Sequence, residues 1–203
     1  MIKDMSELII IDTEYTTWEG AQDTNWGEDW QYRELVQIAA IKVHLPTYEE
    51  IDKLDILIRP IKNPKLSDFF IELTSITQEQ LDKEGIDLSK GLEDLAAFCE
   101  GFSGNQIVTY GADEGIIEEN CNLQVIDNPL PSSWRNIRPY LQANGVDVDT
   151  YSSGRLHELT NHPIEGHVHY ALHDVRSIAR YLKFQQSNSD GDIVSKLPHY
   201  KSA

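Results

Sequence analysis

The 203-residue chain is poor in cysteine, in long apolar runs and in positive charge. Its two cysteines, Cys99 and Cys121, have no metal-finger spacing and are too few for a disulfide framework, so they read as reduced thiols in helices. No apolar run approaches the ~18 residues that a membrane-spanning helix requires. The N-terminus lacks a basic segment followed by an apolar leader core, and the expectation is a soluble, untargeted, cytoplasmic protein. Positive charge is the largest deficit: 17 Lys and Arg stand against 34 Asp and Glu, a net charge of −17. Proteins that hold long nucleic acids by their phosphates are basic, which excludes a broad phosphate-binding surface here. A polyanion would have to be gripped locally, through metal ions. The plain reading of the acidity is a solvated surface that aids solubility.

The chain suits one domain with a substantial core. Its most informative stretch is Leu8-Ile9-Ile10-Ile11, which runs directly into Asp12-Thr13-Glu14. Four large aliphatic residues, three of them β-branched, read as a strand buried on both faces. Strand side chains alternate, so Asp12 and Glu14 share one side. Two adjacent carboxylates near a core repel each other unless a cation lies between them. The plain alternative is that Asp12 starts a turn.

Leu35–Val43 and Leu54–Pro60 read as the next two strands, giving an antiparallel three-strand start. Residues 19–33 form a polar insertion in which Trp26 and Trp30 serve either a packed flap or a base-stacking platform, packing being the simpler role. Pro64–Phe70 reads as irregular, and Thr77 as the N-cap of a helix over Gln78–Leu81. Leu88–Phe102 carries helical spacing, Ile107–Gly111 reads as a fourth strand, and a helix follows the Ala112 turn. Further helices are expected over Trp134–Asn144, Ser153–Leu159 and His169–Leu182. Asp174 falls on the flank of the apolar stripe of the last helix and needs a partner. His169 could share a site with it only from the loop before that helix. The expected domain spans residues 1–184, and residues 185–203 read as a mobile polar tail.

Carboxylates without thiolates suit a hard divalent cation such as Mg²⁺ or Mn²⁺, and a neutral histidine beside them suits a general base. The ordered motifs resemble those of the DEDDh branch of the 3′-5′ exonucleases. They are Ile11-Asp12-Thr13-Glu14-Tyr15-Thr16, the companion strand Arg33–Val43, the turn Leu73-Thr74-Ser75-Ile76-Thr77 with Ser75 in place of a glycine, and His169-x4-Asp174. Together they span residues 8 to 184. The resemblance implies an α/β, ribonuclease-H-like fold: a mixed central sheet with antiparallel first three strands, flanked by helices. It implies two Mg²⁺ or Mn²⁺ ions per site and a single-stranded RNA or DNA 3′ end as substrate, with release of nucleoside 5′-monophosphates. In that scheme Asp12 bridges both ions, Glu14 and Asp174 hold the ion nearest the attacking water, and His169 deprotonates that water. Tyr15 and Thr16 lie along the terminal nucleotide.

The second-motif carboxylate is Asp113 or Glu114. Strict spacing from Tyr110-Gly111 lands on Glu114. Counting back from Ile116 and Ile117 favours Asp113, which supports the other ion. His157, His162, His167 and His173 match no zinc spacing and read as surface or loop residues. Trp134 reads as core. Two other functional classes fit the same sequence: a non-catalytic nucleic-acid- or partner-binding domain of the same fold, and a hydrolase of small nucleotides or short oligonucleotides.

Overall fold

Strand β1, Glu7–Tyr15, runs through the middle of the molecule, and its Leu8–Ile11 run is wholly buried. Leu8 and Ile10 enter one core cluster and Ile9 and Ile11 the other, as a strand covered on both faces requires. Each such side chain contributes roughly 1.5–3 kcal/mol when taken from water. The same alternation carries Asp12 and Glu14 to the Leu8–Ile10 face and Thr13 to the opposite one. The coordinates, a computed structural model, describe residues 6–200; residues 1–5 of the expected domain and 201–203 of the expected tail lie outside them.

β2 (Leu35–His44) pairs antiparallel with β1, and β3 (Glu49–Leu57) antiparallel with β2. β4 (Ile107–Thr109) lies parallel on the other side of β1, and β5 (Arg135–Asn136) parallel to β4. The order β3-β2-β1-β4-β5 makes a mixed five-stranded sheet with antiparallel first three strands, as expected. Two short helices, α1 (Asp68–Thr74) and α2 (Gln78–Glu84), follow β3. The core of one face is completed by α3 (Leu88–Phe98) and α4 (Asp113–Gln124), that of the other by α5 (Ile137–Ala143), a 3-10 helix (Ser153–Thr160) and α6 (Ala171–Ser187). Among the described residues, no helix is long and apolar enough to cross a membrane.

Several boundaries differ from the sequence reading. α1 occupies part of the stretch expected to be irregular. It has only two turns, too few for an apolar period to declare itself, and Ser67 caps it by accepting the Phe70 N–H at 3.0 Å. Ser75 closes it at φ 64°, the left-handed position that favours glycine. Thr77 caps α2 as expected, with a reciprocal capping box to Gln80. β5 was not foreseen: Trp134 is buried core as expected, but α5 begins only at Ile137. His157 and His173 are buried rather than at the surface, their rings edge-on at 5.5 Å.

The C-terminal segment expected to be mobile packs onto the domain instead. Ile193, Val194 and Leu197 are buried in the α6-side core. The Pro198 carbonyl accepts the Asn136 N–H at 2.8 Å, and the Tyr200 N–H donates to the Trp134 carbonyl at 2.7 Å. The segment thus covers the outer edge of β5, satisfying backbone groups that a bare edge would leave open.

Candidate active site

The site lies where β1 and its parallel neighbour β4 end, the crevice at which open α/β sheets place their ligands. β1 delivers Asp12 and Glu14 to the α6 face. α6 returns Asp174, wholly buried in its first turn, to the same place. His169 sits just before α6 at φ 68°, and its backbone N–H donates to Asp174 Oδ1 at 3.1 Å. The histidine therefore reaches the site from the preceding loop, as the sequence required. Ligand atoms of Glu14, His169 and Asp174 all lie within 4.8 Å of one another. Asp12 and Asp113 line the same cleft, whose volume is about 430 Å³.

The second-motif ambiguity has a geometric counterpart. Asp113 is buried at the start of α4 and turns into the cleft, where Oδ1 accepts the Thr13 N–H at 3.0 Å and the Thr13 hydroxyl at 2.7 Å. The Thr109 hydroxyl donates to Oδ2. Glu114 faces the other way and accepts the backbone N–H groups of Ser133 at 2.7 Å and Trp134 at 2.9 Å. It ties α4 to the segment leading into β5.

Residues that sequence reasoning missed hold the cluster in place. Ser153 donates its hydroxyl to Asp174 Oδ2 at 2.7 Å. At Gly154 an added Cβ would collide with the Asp174 carboxylate, so the 3-10 helix forms a close-fitting wall. Gln37, buried in β2, accepts the first N–H of α6 (Ala171) at 2.9 Å and donates to Asp55 at 2.7 Å; Asp55 also accepts the Tyr170 hydroxyl at 3.1 Å. That chain fixes the turn carrying His169. None of these roles has a local sequence signal, because every partner lies far along the chain.

The two nucleotide-side expectations separate. Tyr15 lines the cleft, with Trp26 against its ring at 5.5 Å. Thr16 does not. Its side chain is buried, donating to the Tyr32 carbonyl at 2.5 Å and accepting the Glu34 N–H at 3.0 Å, while Thr13 and Thr17 line the cleft in its stead. The tryptophan-bearing insertion is only partly packed: Trp26 is half-buried, whereas Trp30 is 51% exposed. Trp26 donates its indole N–H to the Thr16 carbonyl at 3.1 Å, and Trp18 meets Trp30 edge-on at 4.8 Å. Trp26 of the insertion and Trp18 just before it line the cleft, as do Phe69 and Leu73 of α1.

Electrostatically the site is frustrated. Burial first, and then the charges of Asp113, Asp174 and Glu14, push the Asp12 carboxyl well above the usual carboxylate range. Glu14 is raised by burial and by Asp174 and Asp113. Burial lifts Asp174 to about 7 against the opposing bonds from Ser153 and His169. Asp113 is raised by burial although Thr109 and Thr13 pull it down. Burial, with the nearby charges of His167 and Arg155, lowers His169, leaving its imidazole neutral at pH 7. Oxygen donors and one imidazole, crowded and mutually repelling, fit a hard divalent cation; the thiols of Cys99 and Cys121 are buried in the opposite core and take no part.

The RNase T family model, described as an exonuclease, matches residues 9–182. The chain belongs to this exonuclease family. ERI1 exoribonuclease 2 of Mus musculus is 28% identical over 107 residues, which make up 53% of this chain and 14% of that protein. The chain thus spans about one seventh of the length of that relative. The nuclease domain of 3′hExo, a DEDDh family member bound to rAMP, superimposes with a TM-score of 0.77 at 24% identity, over 99% of both chains. E. coli exonuclease I in its complex with single-stranded DNA gives a TM-score of 0.62 at 16% identity, covering 91% of this chain and 41% of that one. The exonuclease fold therefore covers nearly all of the described chain, with Asp12 and Glu14 at the end of β1 and Asp113 and Asp174 in the first turns of α4 and α6.

Proposed function

We propose that this exonuclease-family protein is a divalent-cation-dependent 3′-5′ exonuclease, releasing nucleoside 5′-monophosphates from the 3′ end of single-stranded RNA or DNA. The convergence of Glu14, His169 and Asp174 within 4.8 Å, beside Asp12 and Asp113, carries the reading. Asp12, Glu14 and Asp174 would hold the cations, with Asp113 supporting from α4. Two bound Mg²⁺ or Mn²⁺ ions would neutralise the phosphate and stabilise both attacking and leaving oxygens.

His169, neutral and within reach of the carboxylate cluster, accepts a proton from the attacking water. The water oxygen bonds to the phosphorus of the last phosphodiester, the P–O3′ bond breaks, and the departing O3′ takes up a proton. The phosphate leaves on the 5′ carbon of the terminal nucleotide. Asp174 holds His169 through the 3.1 Å backbone bond, and the Gln37–Asp55–Tyr170 chain keeps that turn from drifting. Tyr15, Trp18, Trp26 and Phe69 offer neutral faces to the terminal base and sugar.

The test is a time course on 3′- and 5′-labelled single-stranded RNA and DNA, with and without Mg²⁺ or Mn²⁺. Mononucleotide appearing from the 3′ end only with metal is the expected result. Internal cuts, metal-independent cleavage, or binding without turnover would overturn the assignment.

A further inference from the structure

The cleft contains no lysine or arginine among its described lining residues, but five carboxylates: Asp12, Glu14, Asp23, Asp113 and Asp174. It adjoins, at Phe69, Leu73 and His169, a groove of about 720 Å³. The groove again lacks lysine and arginine among its described lining residues, and Glu19, Asp68 and Glu72 border it. Two arginines whose charge is felt in the site are already paired: Arg33, near Tyr15, with Glu119 at 2.5 Å, and Arg155, near His169, with Glu158 at 3.0 Å. The neutral contacts are aromatic and aliphatic, from Trp18, Trp26, Phe69 and Leu73. At about 430 Å³ the cleft is at the small end of ligand pockets, which run ~300–1,000 Å³, a size for one nucleotide rather than a strand.

Resting on the exonuclease reading, we propose that the preferred substrates are short oligonucleotides of about two to four nucleotides, and that Glu19, Asp68 and Glu72 discriminate against longer strands. The scissile phosphate of a dinucleotide sits among the cation-holding carboxylates. Its bases meet aromatic faces, and no further charge enters the groove. Every added nucleotide brings one more phosphate. The phosphates that follow the groove come within a Debye length, about 8 Å at physiological salt, of carboxylates that no described cation in the groove offsets. Ordinary nucleic-acid binding weakens as salt rises because it depends on released counterions. Here added salt screens a repulsion, so the salt dependence of long strands reverses.

The experiment measures kcat/KM with saturating Mg²⁺ on a dinucleotide and on a ~20-nucleotide strand of the same composition, at about 20 and about 500 mM monovalent salt. It uses the unmodified protein and an E19Q/D68N/E72Q variant. The dinucleotide should be favoured about tenfold at low salt, and the preference should shrink to about twofold both at high salt and in the variant. The dinucleotide rate itself should be unchanged by the substitutions. The salt series on the unmodified protein stands on its own if the triple variant folds poorly. A long strand turned over as well as the dinucleotide at low salt, or with a rate that falls as salt rises, overturns the proposal. So does a length preference that neither salt nor the substitutions alter. Absence of 5′-mononucleotide from every length is a different failure: it removes the exonuclease reading and this proposal with it.

Discussion

Two acidic regions adjoin at Thr16, which is bonded to Glu34 and lies two residues beyond Glu14, and they are built on opposite principles. Glu34, just before β2, is 1% exposed, and its carboxylate is fully met. Oε1 accepts the backbone N–H groups of Ile61 at 2.7 Å and Lys62 at 2.9 Å, while Oε2 accepts those of Lys62 at 3.0 Å and Asn63 at 2.6 Å. It is a staple, clamping the loop after β3 to the end of β1 through Thr16. The cleft is the reverse. Asp12 and Asp174 are buried and Glu14 half-buried beside them, with more negative charge than the donors around them compensate. A buried carboxylate whose hydrogen bonds are complete serves the fold; a group of them left in mutual repulsion costs the fold something and serves a ligand.

The strongest test of that contrast is to neutralise one member of each region. Asp12→Asn should reduce kcat by about a thousandfold or more and raise the melting temperature of the metal-free protein, because a repelling charge is gone. Glu34→Gln should do the opposite. It leaves backbone N–H groups facing an amide that accepts with only one atom, and should cost about 2–4 kcal/mol in denaturant unfolding while the folded fraction keeps its turnover. A stability loss in Asp12→Asn would break the comparison.

The neighbouring pair Asp113 and Glu114 repeats the contrast within one helix turn. Asp113→Ala should lower kcat by about a hundredfold or more. Glu114→Ala should cost about 1–3 kcal/mol of stability, through the orphaned Ser133 and Trp134 N–H groups, with kcat little changed. The reverse pattern would assign the second-motif role to Glu114.

The smallest expected effect is on pH dependence. Asp174 is raised from 3.8 to about 7, and Asp12 and Glu14 move the same way. Between those values the folded metal-free protein binds more protons than the unfolded chain, so its stability falls as pH rises from about 4 through about 7. The thermal midpoint without metal should be higher at about pH 5 than at about pH 8, and Asp12→Asn should flatten that slope. Mg²⁺ should raise the midpoint more at the higher pH, where the carboxylates are ionised and free to bind. A metal-induced shift larger at the lower pH would contradict the account of the cleft.

Much of the site was legible along the chain because strand and helix periods are local facts. The alternation of β1 put Asp12 and Glu14 on one side, and the apolar stripe of α6 put Asp174 on a flank that needed a partner. Boundaries without a period were not legible. α1 has two turns, β5 has two residues, and the final segment shows only scattered apolar residues until Ile193, Val194 and Leu197 find their core. That the Thr16 side chain turns away from the cleft was not legible, because its partners, Tyr32 and Glu34, arrive from across the insertion.

By itself the sequence determined the order of the longer strands and helices, the strand that presents the first two carboxylates, and the set of groups suited to a hard cation. The tertiary structure alone decided which of two adjacent acids turns inward, which carboxylate becomes a staple, and which residues hold His169 and Asp174 in register. The reason is the range of the forces. Backbone periodicity is fixed within a few residues, whereas burial, hydrogen-bond completion and charge repulsion depend on groups such as Ser153, Gln37 and Thr13 that meet their partners only once the chain has folded.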